Sequence, residues 1–425
     1  MAARKIPLNI YRRPLPEVCV DFSSKEGKQL FKAALLEGNA EIYFKLAAQF
    51  RTQDEPSYCA LSTLVMVLNS LEVDPGRVWR APWRWYHESM LDCCLPLEHV
   101  LKHGLTLAEF ACLARCNRLR CQTRYALSRE EQDEGARKME VDLFRQSVVQ
   151  SCQSDDTVLV VAYDRKVLGQ TGSGHLSPIG AYDANSDRAL ILDVARFKYP
   201  PHWVELPLLY EAMQSLDETS GKTRGYVTLE LHDTLPPVGV FSLKNLSTEI
   251  LSKKDSLRAL NDTISELFSL PELHSEELLE KLTRQFVTAL EKYFLNCCQG
   301  REEPEQNDNC TTKASCCESS VAVDNQENKM KLCCRAIQSD VKSMKFYSLL
   351  SDSYPNCNES ARGFLSALLL AWPYGKVAKT DTETGFTNGN FAHLTTTIDR
   401  EFQKLNPETV NELEVVTFQL EALLL

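Results

Sequence analysis

One run constrains the fold of this chain more than any other: "HLSPIGAYDANSDRALILDV", residues 175–194. Apolar and β-branched residues flank "DANSDR", whose Asp, Asn and Ser side chains hydrogen-bond their own backbone and so favour a turn. A short loop between two strand-like runs forces antiparallel pairing, because parallel strands need a crossover of a dozen or more residues. The run therefore predicts a β-hairpin with a loop of about six residues. His175 opens its first strand and Asp193 ends its second, which brings the two near each other with the register open by a residue or two.

A second stretch, "QDEPSYCALSTLVMVLNSL", residues 53–71, places one cysteine between a proline-containing turn and an apolar run. Leu61, Leu64, Val65 and Leu68 recur at helical spacing, so a helix should begin near Cys59. A helix N-terminus carries partial positive charge and favours a thiolate there. Gln53 lies six residues earlier and could aim its amide at an oxyanion beside the Cys59 backbone N–H. A thiol nucleophile also needs a base and a group to orient that base. His175 and Asp193 on the hairpin suit those roles. Spacing alone leaves alternatives open: Cys59 as one more buried thiol, His202 as the base, Asp193 as a turn cap, and His87 or His202 as structural histidines.

The 425 residues are 44% hydrophobic and 25% charged, which predicts a mostly globular chain of two or three domains. The net charge of −11 gives no basic footprint for nucleic acid, and no apolar run is long enough to suggest a membrane span. No secretory signal is read at the amino terminus, so a cytoplasmic location with reduced thiols is expected. "GKQLFKAALLEGNAEIYFKLAAQF" reads as one or two helices, and "DTVLVVAYDR" and "GYVTLELHD" as strands. The paired prolines of "HDTLPPVGV" suggest a boundary near residues 232–240. The expected organisation is an α+β catalytic domain over 1–235 and a mainly helical domain over 236–425. A polar, acidic stretch, about 299–330, is too poor in large apolar residues to order itself. Asn406 as N-cap and Pro407 at the first helical position should open the last helix.

"QDEPSYCALSTL", "DPGRVWRAPWRWYHESMLDCC", "QTGSGHLSPIGAYD" and "ALILDVARFKYPPHWV" resemble, in order, the successive motifs of phytochelatin synthases. "YRRPLP" and "SGKTRGY" extend the match to roughly residues 11–230. The resemblance implies a papain-like cysteine transferase. Such an enzyme takes the γ-Glu-Cys unit of glutathione as a thioester, releases glycine, and passes the acyl group to glutathione or a growing phytochelatin chain, in heavy-metal detoxification. It carries the catalytic triad over to Cys59, His175 and Asp193, the oxyanion glutamine to Gln53, and substrate contacts to Arg196, Lys198, Tyr199 and Arg165. Ser57 and Ala60 stand where the family motif has a small residue and a glycine. Glutathione and its metal thiolate are anions, which Arg196 and Lys198 could grip. The resemblance also implies a Cd²⁺, Zn²⁺ or Cu⁺ ion as activator, carried as the glutathione thiolate, and no organic cofactor. It leaves the oligomeric state open, a homodimer being one option.

Of the sixteen cysteines, Cys93–Cys94, Cys297–Cys298, Cys316–Cys317 and Cys333–Cys334 are adjacent pairs, and no Cys-x₂-Cys zinc spacing occurs. The last three pairs are candidate ligands for soft ions. Cys112, Cys116 and Cys121 could share a helix face, which core packing explains equally well. Two other readings compete with the transferase: a thiol peptidase that only hydrolyses glutathione or its S-conjugates, and a metallothionein-like metal-binding protein. The lack of any Cys-x-Cys cluster speaks against the second.

Overall fold

The computed structural model describes residues 12–76, 78–129, 134–232, 254–268, 270–271, 273–289, 337, 339–354, 359–374 and 389–424. The chain divides into two compact units, Met1–Thr234 and Leu235–Leu425. The first is α+β.

Its seven strands are Cys19–Asp21 (β1), Leu119–Tyr125 (β2), Thr157–Asp164 (β3), Gly174–Asp183 (β4), Arg188–Ile191 (β5), His202–Glu205 (β6) and Gly225–Leu231 (β7). They form one antiparallel sheet in the order β1-β6-β5-β4-β3-β7-β2. Strand β4 is central and buried from His175 to Asp183, which explains why its sequence is apolar without alternation. Helices Lys25–Leu36 (α1), Glu41–Ala48 (α2), Cys59–Ser70 (α3) and Glu134–Gln153 (α6) pack on it. Between α3 and α6 come Leu97–His103 (α4) and Leu107–Cys116 (α5). Leu206–Met213 (α7) packs on β3.

The expected hairpin is β4–β5, with a tighter loop than its sequence suggested. Asp183 pairs with Arg188, so the two ends of "DANSDR" belong to the ladder and four residues turn the chain. Asp183 Oδ2 accepts from the Ser186 N–H and hydroxyl at 2.9 and 2.6 Å. The register shifts at Gly180, so that Ile191 faces Ile179. Without this bulge Ile191 would face Gly180, and every side chain beyond it would point to the other side of the sheet. The bulge thus sets which residues past β5 meet the first residues of β4.

Helix α3 is apolar around its circumference, and everything from Ala60 to Ser70 is buried. Helix α5 begins with a capping box: the Thr106 side chain accepts from the Glu109 N–H, and Glu109 reaches back to the Thr106 N–H at 2.8 Å. Helix α4 ends at Gly104, whose φ of +70° favours glycine.

The second unit is helical where described: Lys254–Phe268, Ser275–Ala289, Lys345–Ser353, Glu359–Ala371, Gly389–Phe402 and Pro407–Leu424. Ile264, Phe286, Phe346, Leu369, Trp372 and Leu413 sit in its core. Pro407 opens the last helix as expected, but Asn406 turns its side-chain amide to Asp340. The Asp340 carboxylate also accepts from the Asn406 N–H and the Thr409 hydroxyl. Among the described residues no helix is long and apolar enough to cross a membrane. The expected boundary prolines and the 299–330 stretch lie outside the described residues.

Candidate active site

Cys59 is the first residue of α3, and Tyr58 provides no side-chain cap, so no capping oxygen offsets the positive end of the helix. Strand β4 faces it: the Thr63 hydroxyl donates to the Leu176 carbonyl at 3.1 Å, fixing the first turns of α3 against the start of the strand. His175 stands at that start, on the side of Cys59, and its charge favours the thiolate. His175 Nε2 lies 2.8 Å from Asp193 Oδ1. With Nε2 engaged there, Nδ1 is the nitrogen left for the thiol.

Burial opposes the Cys59 thiolate, but the facing His175, the Leu176 backbone and Arg165 outweigh it and hold the thiol below its ordinary value. Burial pushes the Cys19 thiol up to about 11 and the Cys121 thiol to about 12. That contrast separates Cys59 from the core thiols it could not be told from in sequence. For His175, burial and Arg165 oppose the imidazolium, yet Asp193 and Cys59 prevail and raise it. Asp193 is fully buried; desolvation disfavours its charge, but His175 and Arg165 hold the carboxyl well below the usual carboxylate range.

Behind Asp193 lies a polar chain that sequence reading did not foresee. Arg165 donates to Asp193 and to Gln170 Oε1. Gln170 Nε2 is 2.9 Å from His202 Nε2, and His202 Nδ1 is 2.8 Å from the Pro200 carbonyl. A carbonyl can only accept, so His202 carries its proton on Nδ1 and accepts from Gln170 through Nε2. Burial lowers its pKa and keeps it neutral. His202 therefore buttresses the site at a distance from the thiol.

A cavity of about 450 Å³ opens over the thiol. Gln53, Cys59, His175, Arg165 and Lys198 all line it, with the α4–α5 connection, Lys102 to Leu107, as one wall. Gly172, at φ +103°, lets the backbone come close: a Cβ there would lie 3.0 Å from Lys198 Nζ. Burial and the neighbouring Arg165 lower the Lys198 pKa.

The other expected contacts are placed differently. Tyr199 is buried, and its hydroxyl is 2.8 Å from the Thr171 N–H that donates to it. The Arg196 guanidinium is exposed and lies over the Phe50 ring at 4.7 Å. Neither borders the cavity. Arg165 does, but its guanidinium is directed to Asp193 and Gln170. Gln53 is buried; its Nε2 donates to the Glu55 and Pro56 carbonyls, both at 2.8 Å, and its Oε1 has no hydrogen-bond partner. Cys297, Cys298, Cys316, Cys317, Cys333 and Cys334 lie outside the described residues. A different cysteine group converges instead: the sulfurs of Cys93, Cys94 and Cys116 lie within 4.8 Å of one another. No spacing along the chain announced it: Cys116 ends α5, and the pair precedes α4. Cys121 stays apart, its thiol against the Ala111 and Leu119 carbonyls.

The chain resembles proteins named glutathione gamma-glutamylcysteinyltransferase. It is 43% identical over 274 residues to one from Schizosaccharomyces pombe, covering 63% of this chain and 64% of that protein. It is 42% identical over 283 residues to number 3 of Lotus japonicus, covering 64% and 57%. It is 48% identical over 222 residues to number 1 of Arabidopsis thaliana, covering 52% and 44%. The chain thus spans less than two thirds of the length of these relatives. The family model of phytochelatin synthase matches residues 10–226, half of the chain and nearly all of the first unit, and the chain belongs to that family.

Proposed function

We propose that this protein is a glutathione γ-glutamylcysteinyltransferase of papain-like architecture, with Cys59, His175 and Asp193 as its catalytic groups. One observation carries the reading: Cys59 and His175 line the same cavity, and His175 Nε2 lies 2.8 Å from the buried Asp193 carboxylate. The relatives' names supply the substrate, and a cysteine at a helix start opposite an antiparallel sheet suits the papain-like arrangement.

The chemistry follows from the groups. The Cys59 thiolate attacks the carbonyl of the Cys–Gly bond of glutathione, and the His175 imidazolium gives its proton to the departing glycine amine. A γ-Glu-Cys thioester remains on Cys59. The α-amino group of a second glutathione attacks that thioester, His175 takes its proton, and Cys59 leaves as the thiolate. Asp193 keeps Nδ1 toward the sulfur throughout and stabilises the imidazolium. The helix N-terminus stabilises the oxyanion, joined by Gln53 once its amide exchanges one of its two carbonyl partners for the acyl oxygen. Lys198, which lines the cavity with Lys102 and Lys166, supplies a cation for a glutathione carboxylate, and the metal ion enters as part of the substrate thiolate.

The test is product analysis of the full chain with glutathione and Cd²⁺. Oligomers of the form (γ-Glu-Cys)ₙ-Gly with free glycine are expected. Release of γ-Glu-Cys alone would make the enzyme a hydrolase, and no glycine release would reject the reading.

A further inference from the structure

A buried carboxyl that the proposed reaction does not use lies against the turn that carries Gln53. Glu88 opens a 3₁₀ turn, Glu88–Met90, and is 1% exposed. A carboxyl this deep needs polar partners. It finds them in the segment before α3: its two oxygens accept the Asp54 N–H at 3.2 and 3.4 Å, and Arg51 Nη2 lies 3.6 Å from one of them. The Asp54 side chain is clamped as well, 2.7 Å from Arg51 and 3.4 Å from His87 Nε2. The approach to the 3₁₀ turn is tied to α3, because the Asn69 amide donates to the Tyr86 carbonyl and accepts the Tyr86 N–H, both at 3.1 Å. On the other side, the Gln53 N–H donates to the Val194 carbonyl at 3.1 Å, one residue past Asp193. Gln53 is therefore suspended between two backbone N–H bonds, its own to Val194 and the next one to Glu88.

We propose that Glu88 is a positioning residue: its carboxyl fixes the Asp54 N–H and so sets where the Gln53 amide stands relative to Cys59 when the oxyanion forms. Both ends of the link share one frame. Asn69 and Cys59 lie on the same helix, so the Tyr86–Glu88 segment carries the position of α3 across to the Gln53 turn. Gln53 Nε2 is held by the Glu55 and Pro56 carbonyls of that turn, so the amide moves with the backbone that Glu88 holds. Oxyanion stabilisation depends on donors already in place, and a misplacement of about 1 Å can cost about 100-fold. Glu88 does not border the cavity, so it acts through Gln53 and not on the substrate. What the role requires is an acceptor at that reach, not a negative charge, because a neutral amide oxygen accepts the same N–H. The inference rests on the proposed reaction, in which Gln53 meets the oxyanion.

The experiment separates reach from charge in the full chain. Glycine release from glutathione with Cd²⁺ is followed at pH 8, above the value of about 7 to which burial pushes Glu88. Glu88→Asp keeps the charge and draws the acceptor back by one methylene. Glu88→Gln keeps the reach and drops the charge. With far-ultraviolet circular dichroism unchanged, Glu88→Asp should lower kcat by about ten-fold or more and leave KM within about two-fold. Glu88→Gln should recover turnover to within about three-fold of the unsubstituted chain. Cys59 alkylation should follow the same pH curve in all three, since thiolate and imidazolium are untouched. In a Gln53→Ala chain, where about 100- to 1,000-fold is already lost, Glu88→Asp should add nothing. Full turnover in Glu88→Asp, a loss in Glu88→Gln as large as in Glu88→Asp, or additive losses in the double variant each overturn the role. Should Glu88→Asp not fold, Glu88→Gln decides alone: recovery supports the role and a loss of about ten-fold overturns it. The unsubstituted chain tests the reaction itself. Without glycine release the proposed function falls and this role with it; with release and no kinetic effect of Glu88→Asp, only this role falls.

Discussion

One Arg165 nitrogen donates to both carboxylate oxygens of Asp193, at 2.9 and 2.7 Å, in surroundings where the two residues are 3% and 0% exposed. The same carboxylate accepts the Ala195 N–H at 2.8 Å and engages His175. Asp193 is thus held from three sides, and the imidazole it orients inherits that rigidity.

Breaking this pair leaves a buried charge without its partner. Arg165→Met should destabilise the first unit by about 3–5 kcal/mol and abolish turnover. Arg165→Lys keeps the charge but loses the fork that also reaches Gln170, and should lie between. Urea unfolding beside glycine release checks both. Full stability in the methionine variant would show the pair to be dispensable.

Cys59→Ser should lose the acyl-enzyme, since a serine hydroxyl has no comparably accessible anion. Asp193→Asn should favour the wrong imidazole tautomer and lower turnover on the order of 1,000- to 10,000-fold, as in serine-protease triads. Mass spectrometry of the intact protein after mixing with glutathione detects the thioester. A glutathione-derived adduct on the serine variant would place the nucleophile at another cysteine.

Cys59 is lowered and His175 raised, each favoured in its charged form by the other. Alkylation of Cys59 should rise with pH below the range of an ordinary thiol. His175→Ala removes the positive neighbour and should move the curve to higher pH. A curve that does not move would mean that His175 does not stabilise the thiolate.

Glu88 gives a separate pH signature. Its carboxyl is buried, accepts the Asp54 N–H at 3.2 Å and lies 3.6 Å from Arg51. Burial pushes it up to about 7 from 4.5; Arg51 opposes this, and Asp54 adds to it. Between those values the folded chain keeps a proton that the unfolded chain releases, so stability should fall as pH rises through the window. Glu88→Gln removes the titration and should be more stable at pH 8 by up to about 3 kcal/mol. Urea midpoints measured from pH 5 to 8 decide it; parallel profiles for the two proteins would exclude Glu88 as the source.

Every candidate catalytic group lies within Met1–Thr234, so a chain ending at residue 235 should fold and release glycine from glutathione. A folded truncation that releases none would put an essential group in the second unit.

The local parts of the site were written in the sequence. Turn residues between two apolar runs determined the β4–β5 hairpin, and helical periodicity after a proline turn determined α3 and put Cys59 at its start, because both signals act over a few neighbouring residues. Tertiary structure decided the rest. The bulge at Gly180 set the side chains past β5, since a one-residue shift reverses their direction. Folding directed Arg165 to Asp193, buried Tyr199 against Thr171 and laid Arg196 over Phe50, leaving Lys198 on the cavity wall. Adjacent cationic and aromatic residues do not announce which way they face. The meeting of Cys93 and Cys94 with Cys112 and Cys116 was equally hidden, because it depends on how the segment before α4 packs on α5 and not on any spacing along the chain.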